Sequence, residues 1–425
     1  MSPFLQLAFS LLVIILFAKA AGYLSTKFGQ PSVLGELLVG ILLGPTFLDL
    51  THLPFLTYTH LTEVVIEIGE LGVLLLMFIA GLELHLSELV KNTRVSAYAG
   101  VLGVVFPVGL GWGAGALFGL PIPEAIFLGL ILGATSVSIS AQTLMELKVL
   151  RTRVGLGLLG AAVFDDILVI LLLSTALAIF SGGSGLVSIL LIFLRILLYL
   201  GLSVAFGLWV LPWLSRRVSQ LEISQPVLSL ALVILLLYGL AAEIVGGMAA
   251  ITGAFLAGLM FARTPEKERI ENGVRALGYS LFVPVFFVSI GLGINLREVT
   301  PQALLLLLTI AVIAILGKII GSGLGARLGG FSRQESLQLG AGMVSRGEVG
   351  LIVASIGMQE GYVHPDEFSA VIGMIIVTTL ITPPLLRSLF AKKQAAGTAQ
   401  NEIDSQAYKE ATPKEVEDVH DHAHS

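Results

Sequence analysis

Cysteine is absent from the 425 residues, which excludes disulfide staples, thiol nucleophiles and sulfur metal ligands and leaves the redox compartment open. Charge is scarce: Asp, Glu, Lys and Arg make up 12% of the chain, where a soluble domain carries about 25%. No nucleic-acid partner is expected of such a composition. What is present is apolar, 56% hydrophobic with a mean hydropathy of +0.94, so the chain reads as an integral membrane protein embedded in a lipid bilayer. Its 48 glycines suit helices that pack closely in lipid. The net charge of −5 misleads, because much of the acid lies towards the C-terminus. The first 20 residues resemble a signal peptide, with Ala18-Lys19-Ala20 as the cleavage site. However, no basic residue precedes the apolar run, so a retained first helix is expected.

Apolar spans of about 17–28 residues predict thirteen transmembrane helices. Their approximate limits are 3–23, 31–49, 63–83, 95–119, 123–147, 155–180, 186–214, 225–244, 247–263, 277–295, 301–326, 335–358 and 367–391. Positive charge tests the count independently. With the N-terminus outside, the cytoplasmic segments hold seventeen Lys and Arg, from Lys27 through Arg151 to Lys393, and the opposite loops hold only Arg297. Residues 1–393 are therefore expected to form a membrane domain with its N-terminus out and its C-terminus in. Residues 394–425 are polar with charges of both signs and are expected to be a disordered cytoplasmic tail. The alternating His420, His422 and His424 can bind metal weakly, and an inert solvated tail is the simpler reading.

An internal repeat is faintly visible. Helix two carries Gly35-x4-Gly40 and helix nine Gly253-x4-Gly258; helix three ends Phe78-Ile-Ala-Gly81-Leu82 and helix ten reads Val288-Ser-Ile-Gly291-Leu292. The offset is seven helices, an odd number, so the copies face opposite ways across the membrane. That pattern implies six helices, a linker helix and six inverted helices.

The chemistry is concentrated in few residues. Asp165 and Asp166 sit mid-span in the apolar stretch Gly155 to Phe180. A carboxylate at that depth costs at least about 2.5–3.5 kcal/mol, and ion or proton handling is the usual reason to keep one. Neighbours on a helix point about 100° apart, so the two cannot chelate as one pair. Lys318, mid-span in Ile315-Leu-Gly-Lys-Ile-Ile-Gly321, offers a partner of opposite sign. Pairing with one aspartate, or loss of its proton, would relieve its burial. A structural ion pair with a spare acid is the plainer alternative; two acids and a base exceed what structure needs. Gly317, Gly321 and Gly325 give the lysine helix a close-packing face.

Helix five contains Thr135, Ser136, Ser138, Ser140 and Gln142 after Gly133. Such hydroxyls can bond their own helix, but their density also suits a broken helix lining an ion site. Helix twelve has the corresponding disruption, Gly340-Ala-Gly342-Met-Val-Ser345-Arg346-Gly347-Glu348, seven helices on. Two discontinuous helices are expected, with Arg346 and Glu348 as supporting charges at half-helix ends. Structural roles are expected for Glu36, Glu70, Glu83 and Glu243, and snorkelling or a lipid headgroup contact for Arg195.

At these residues the chain resembles the monovalent cation:proton antiporter-2 superfamily, the NapA-like and Kef-like bacterial antiporters. Four stretches carry the likeness: Gly29-Gln-Pro-Ser-Val-Leu-Gly-Glu36 through Gly44-Pro45; Leu74-Leu-Leu-Met-Phe-Ile-Ala-Gly-Leu-Glu83; Phe282-Val-Pro-Val-Phe-Phe-Val-Ser-Ile-Gly-Leu292; and Ser345-Arg-Gly-Glu348. The resemblance implies an all-α, NhaA/NapA-like fold of thirteen helices, with dimerisation and core subdomains interleaved in sequence and two crossed broken helices. It also implies a homodimer in a bacterial inner membrane and elevator-like alternating access. Kef-like potassium systems typically have glutamine where Asp165 stands and carry a nucleotide-binding domain that these residues lack; electroneutral sodium/proton relatives usually have asparagine there. The Asp-Asp pair with a membrane lysine is similar to the electrogenic sodium/proton antiporters. By that analogy Asp165 pairs with Lys318, Asp166 carries Na⁺ (or Li⁺) and H⁺, and Thr135 and Ser136 complete the ion site. No cofactor is expected beyond the transported ions. A potassium/proton exchanger is the runner-up, and a cation channel is more distant. A membrane aspartyl protease needs acids on two facing helices, so an enzyme is not expected.

Overall fold

The computed structural model describes residues 1–84, 91–180, 186–292 and 301–411. Arg297 and the three tail histidines lie outside the described residues. Seventeen α-helices are described: α1 Pro3–Lys27, α2 Ser32–Leu43, α3 Leu61–Leu82, α4 Thr93–Leu117, α5 Ile122–Gly133, α6 Val137–Glu146, α7 Arg153–Phe180, α8 Leu186–Ala205, α9 Leu211–Ser219, α10 Pro226–Ala241, α11 Ala250–Phe261, α12 Lys267–Leu277, α13 Val283–Leu292, α14 Pro301–Leu328, α15 Arg333–Gly342, α16 Glu348–Gln359 and α17 Pro365–Ala411. Single π-turns at Phe206–Val210, Ala242–Gly246 and Gly278–Phe282 join or end several of these helices. No β-strand occurs among the described residues.

Ten helical spans are long and apolar enough to cross a membrane, and three further apolar helices, Ser32–Leu43, Ala250–Phe261 and Val349–Met358, are shorter. Each short helix has a local cause. The first stops at Gly44-Pro45. The second starts only after Gly247, whose φ of 65° is left-handed. The third is the far half of a helix interrupted at 343–347. The span expected to begin at 277 begins ten residues earlier, because α12 runs through the π-turn into α13. The last helix is continuous to Ala411, so the stretch 394–411, expected from composition to be a disordered tail, is helical here, and 412–425 lie outside the described residues.

The burial pattern is that of a bilayer protein. Phe4, Leu12 and Leu16 on α1, Leu194 and Leu198 on α8 and Leu305, Leu308 and Val312 on α14 face outwards, while Asp165, Lys318 and Arg346 are buried. Packing sorts most helices into two groups. In the first, α2 lies on α1 and α13, and α11 lies on α3 and α10. In the second, α4 lies on α5, α7 and α14, while α15, α16 and α17 close around them. The half-helix α6 sits between the groups, touching α2 and α3 on one side and α7 and α17 on the other.

Glycine sets the closest crossings. Gly81 of α3 and Gly258 of α11 face each other's backbones, and a Cβ on Gly258 would lie 3.0 Å from the Leu82 nitrogen. Gly321 and Gly325 bring α14 onto the α4 backbone at Leu102 and Tyr98, so the glycine face of the lysine helix packs on α4. Gly258→Val is therefore expected to force α11 off α3 and to destabilise by about 1–3 kcal/mol. A lowered melting temperature of the purified protein in detergent would register it.

Candidate ion-binding site

Helix α7 presents its two aspartates in different directions, as adjacent helical positions must. The Asp165 carboxylate accepts a hydrogen bond from the Lys318 ammonium of α14, and both side chains are fully buried. Its other oxygen, Oδ2, has no hydrogen-bond partner among the described residues. Asp166 turns towards α11, where its Oδ2 accepts from the Thr252 hydroxyl at 2.8 Å. It also lines a small cavity with Met77, Val137, Leu159, Ala162, Val163, Ile251, Thr252 and Phe255, with room for about one water molecule.

The two interrupted helices meet beside these acids. Helix α5 stops at Gly133 and α6 begins at Val137, leaving Ala134, Thr135 and Ser136 out of the helix. Helix α15 stops at Gly342 and α16 begins at Glu348. The breaks bond each other reciprocally. Ser136 N donates to the Ser345 carbonyl at 2.9 Å, and Ser345 Oγ donates to the Ser136 carbonyl at 2.5 Å. Ser140 Oγ donates to the Gly342 carbonyl at 2.5 Å and lies 3.2 Å from Ser345 Oγ. Ser136 Oγ is 3.0 Å from Ser138 Oγ. Thr135 Oγ1 is buried with no hydrogen-bond partner among the described residues. Buried polar groups without partners are rare in folded chains, and a hydroxyl left so at a helix break is an available oxygen ligand.

Arg346 supplies the charge that opened backbone requires. Interrupting a helix strands carbonyls, and the fully buried guanidinium donates to the Val344 carbonyl at 2.8 Å and the Met343 carbonyl at 3.1 Å from one nitrogen. From the other it reaches Leu132, at the end of α5, at 2.8 Å and Ala314 of α14 at 3.3 Å. One cation thus ties both breaks to the lysine helix. Glu348 opens α16, and its side chain lies outside the described residues.

Other charged positions fall elsewhere. Glu83 pairs with Arg275, and Glu36 lies 4.0 Å from Lys19. Glu70 and Glu243 are exposed. Arg195, expected to snorkel or to meet lipid headgroups, is exposed and donates to the Val245 and Ile244 carbonyls of a π-turn at 3.0 and 2.8 Å. Two features have no counterpart among the sequence expectations. Thr252 is the single polar residue between Val245 and Ala262, a signal that marks it in retrospect. Glu146 accepts from Ser32 N at 2.6 Å and Ser32 Oγ at 2.5 Å, capping α2 from 114 residues away, and nothing local announces that.

A buried Asp–Lys pair, a second carboxylate on a cavity and two crossed helix breaks define a membrane carrier for a small cation. The chain belongs to the transmembrane sodium/hydrogen exchanger family, whose profile matches residues 12–392. It is 43% identical to the probable Na⁺/H⁺ antiporter GerT of Bacillus cereus over 90% of this chain and 99% of that one. It is 41% identical to the Na⁺/H⁺-K⁺ antiporter GerN of the same organism over 91% and 97%. Against the Na⁺/H⁺ antiporter of Enterococcus hirae the identity is 39% over 90% and 98%. Among solved structures, the sodium proton antiporter MjNhaP1 from Methanocaldococcus jannaschii aligns with a TM-score of 0.63 at 18% identity, over 91% of this chain and 97% of that one, a likeness of fold.

Proposed function

We propose that the chain exchanges Na⁺ or Li⁺ for H⁺ across a bacterial inner membrane, electrogenically, with Asp166 as the carrier. The observation that carries this reading is the division of labour on α7: Asp165 is held by Lys318, whereas Asp166 opens onto a cavity beside two crossed helix breaks. The donor set is hard oxygen throughout, as a dehydrated alkali cation requires. Asp166, the Asp165 Oδ2 and the Thr135 hydroxyl would bind the ion, with Ser136 offering backbone and hydroxyl oxygen. When Asp165 turns to sodium, Lys318 loses its partner and releases its proton. Two protons then exchange for one Na⁺, and the cycle responds to voltage.

The α1–α3 and α10–α13 group would be the static dimerisation subdomain of a homodimer. The group built on α4, α5, α7 and α14–α17 would be the core that slides past it as an elevator. Glycine pairing supports an inverted repeat. Gly35 packs α2 on α1 and Gly40 packs it on α13, while Gly253 packs α11 on α10 and Gly258 packs it on α3. With the three short apolar helices counted as spans, the total is thirteen, N-terminus out and C-terminus in. The GerN relative is named for potassium as well as sodium, which keeps a K⁺/H⁺ exchanger as the second reading. Proteoliposomes under an imposed pH gradient separate these. Proton movement on adding Na⁺ or Li⁺ that changes with membrane potential is the expected result. A response to K⁺ alone selects the second reading, and ion flux without proton movement overturns both.

A further inference from the structure

An exchanger must not let its empty carrier cross, because an empty return turns exchange into a leak. The structure offers a means at one bond. Thr252 sits in the first turn of α11, two residues past the helix start, and its hydroxyl donates to Asp166 Oδ2 at 2.8 Å with both side chains buried. Ile251 and Thr252, in that first turn, line the cavity together with Asp166, so the partly positive end of α11 lies at this site. Helix α11 packs with α3 and α10, and α7 packs with α4, α5 and α15. The bond therefore runs between the two helix groups, at the carboxylate assigned to the ion. The rest of the α3 and α11 wall of the cavity is apolar, formed by Met77, Ile251 and Phe255. An apolar wall would offer an ionic side chain nothing; the hydroxyl and the helix end offer it a hold.

We propose that Thr252 is a positioning residue that holds the empty Asp166 carboxylate to the static helix group and competes with the cation for it, so that only a loaded carrier slides. A cation on Oδ2 occupies the lone pairs that Thr252 donates to, and a proton removes the charge that strengthens the bond, so the tie is lost with Na⁺ and weakened with H⁺. This rests on the exchange reading above and deepens it by naming the residue that enforces coupling.

The test uses the full-length protein in proteoliposomes, with ²²Na⁺ and an internal pH dye followed together. Thr252→Val keeps the shape and removes the donor. It is expected to lower the KM for Na⁺ by up to about tenfold, the equivalent of about 1.4 kcal/mol of removed competition. It should also lower the number of protons moved per Na⁺, and Thr252→Ser should restore both. A raised KM at unchanged proton-to-sodium ratio would make Thr252 a cation ligand instead and overturn the proposal, as would wild-type values for both. If Thr252→Val does not fold, Thr252→Ala in detergent gives a second reading: its NaCl-dependent rise in melting temperature should begin at lower Na⁺ than that of the wild type. A midpoint equal to or above that of the wild type contradicts competition. Wild-type liposomes that move no protons on adding Na⁺ overturn the exchange reading, and this inference with it.

Discussion

Lys318→Ala alone is expected to cost about 3–5 kcal/mol of stability, because it leaves the Asp165 carboxylate buried without its counter-charge. Both side chains are fully buried, and Arg346, the other buried cation that acts electrostatically on Asp165, spends its terminal N–H groups on the carbonyls of the helix breaks and does not bond to it. Removing both charges has a different expectation. Lys318→Met combined with Asp165→Asn removes both charges and their desolvation cost together, so it is expected to cost less than the sum of the two single changes. Unfolding of the wild type, Lys318→Met, Asp165→Asn and the double variant in one detergent would form a double-mutant cycle, and a large coupling energy is the expected outcome. The double variant is also expected to exchange sodium for protons with no response to membrane potential, since the proton that Lys318 carries is gone. A Lys318→Ala protein as stable as the wild type would mean that the pair does not form.

The separation of the two aspartates is legible in the sequence, because it depends only on the angle between adjacent helical positions. The helix breaks are legible for a similarly local reason: glycine and clustered hydroxyls at 133–140, and glycine with a charged pair at 340–348, compete with helical bonding where they stand. What joins the breaks is not legible. Arg346 reaches Leu132 and Ala314, 214 and 32 residues away, and a pairing over that distance leaves no trace in spacing. The same holds for Glu146, which caps α2 because Pro31, at the cap position, has no side-chain acceptor. Hydropathy misplaces the start of the tenth span because it stops at Glu271 and Arg275, whereas the helix continues through them: Arg275 pairs with Glu83 and Glu271 and carries its charge with partners. Local conflict with helix geometry can be read from one sequence. A long-range ion pair can be read where both charges stand mid-span, as Lys318 and Asp165 do, but long-range bonds from a charge to backbone, as Arg346 makes, cannot.

Asp166→Asn is expected to reduce sodium-driven proton flux by at least about 100-fold, the equivalent of about 2.7 kcal/mol or more in the rate. The substitution isolates charge from shape. Asparagine has the same outline and still offers an oxygen to the Thr252 hydroxyl, so the contact with α11 and the cavity lining can persist. What disappears is the negative charge that attracts a dehydrated cation and the site that takes a proton in exchange. Folding is therefore expected to survive, seen as an unchanged elution profile and a melting temperature close to that of the wild type. Its neighbour should behave in the opposite way: Asp165→Asn leaves Lys318 fully buried without its partner, so stability falls first and exchange is weakened without being abolished. Two residues one position apart would then separate cleanly, one read by unfolding and the other by flux in liposomes. An Asp166→Asn protein that still moves protons when Na⁺ is added would move the carrier elsewhere, and Asp165 would be the first place to look, because its buried Oδ2 has no hydrogen-bond partner among the described residues.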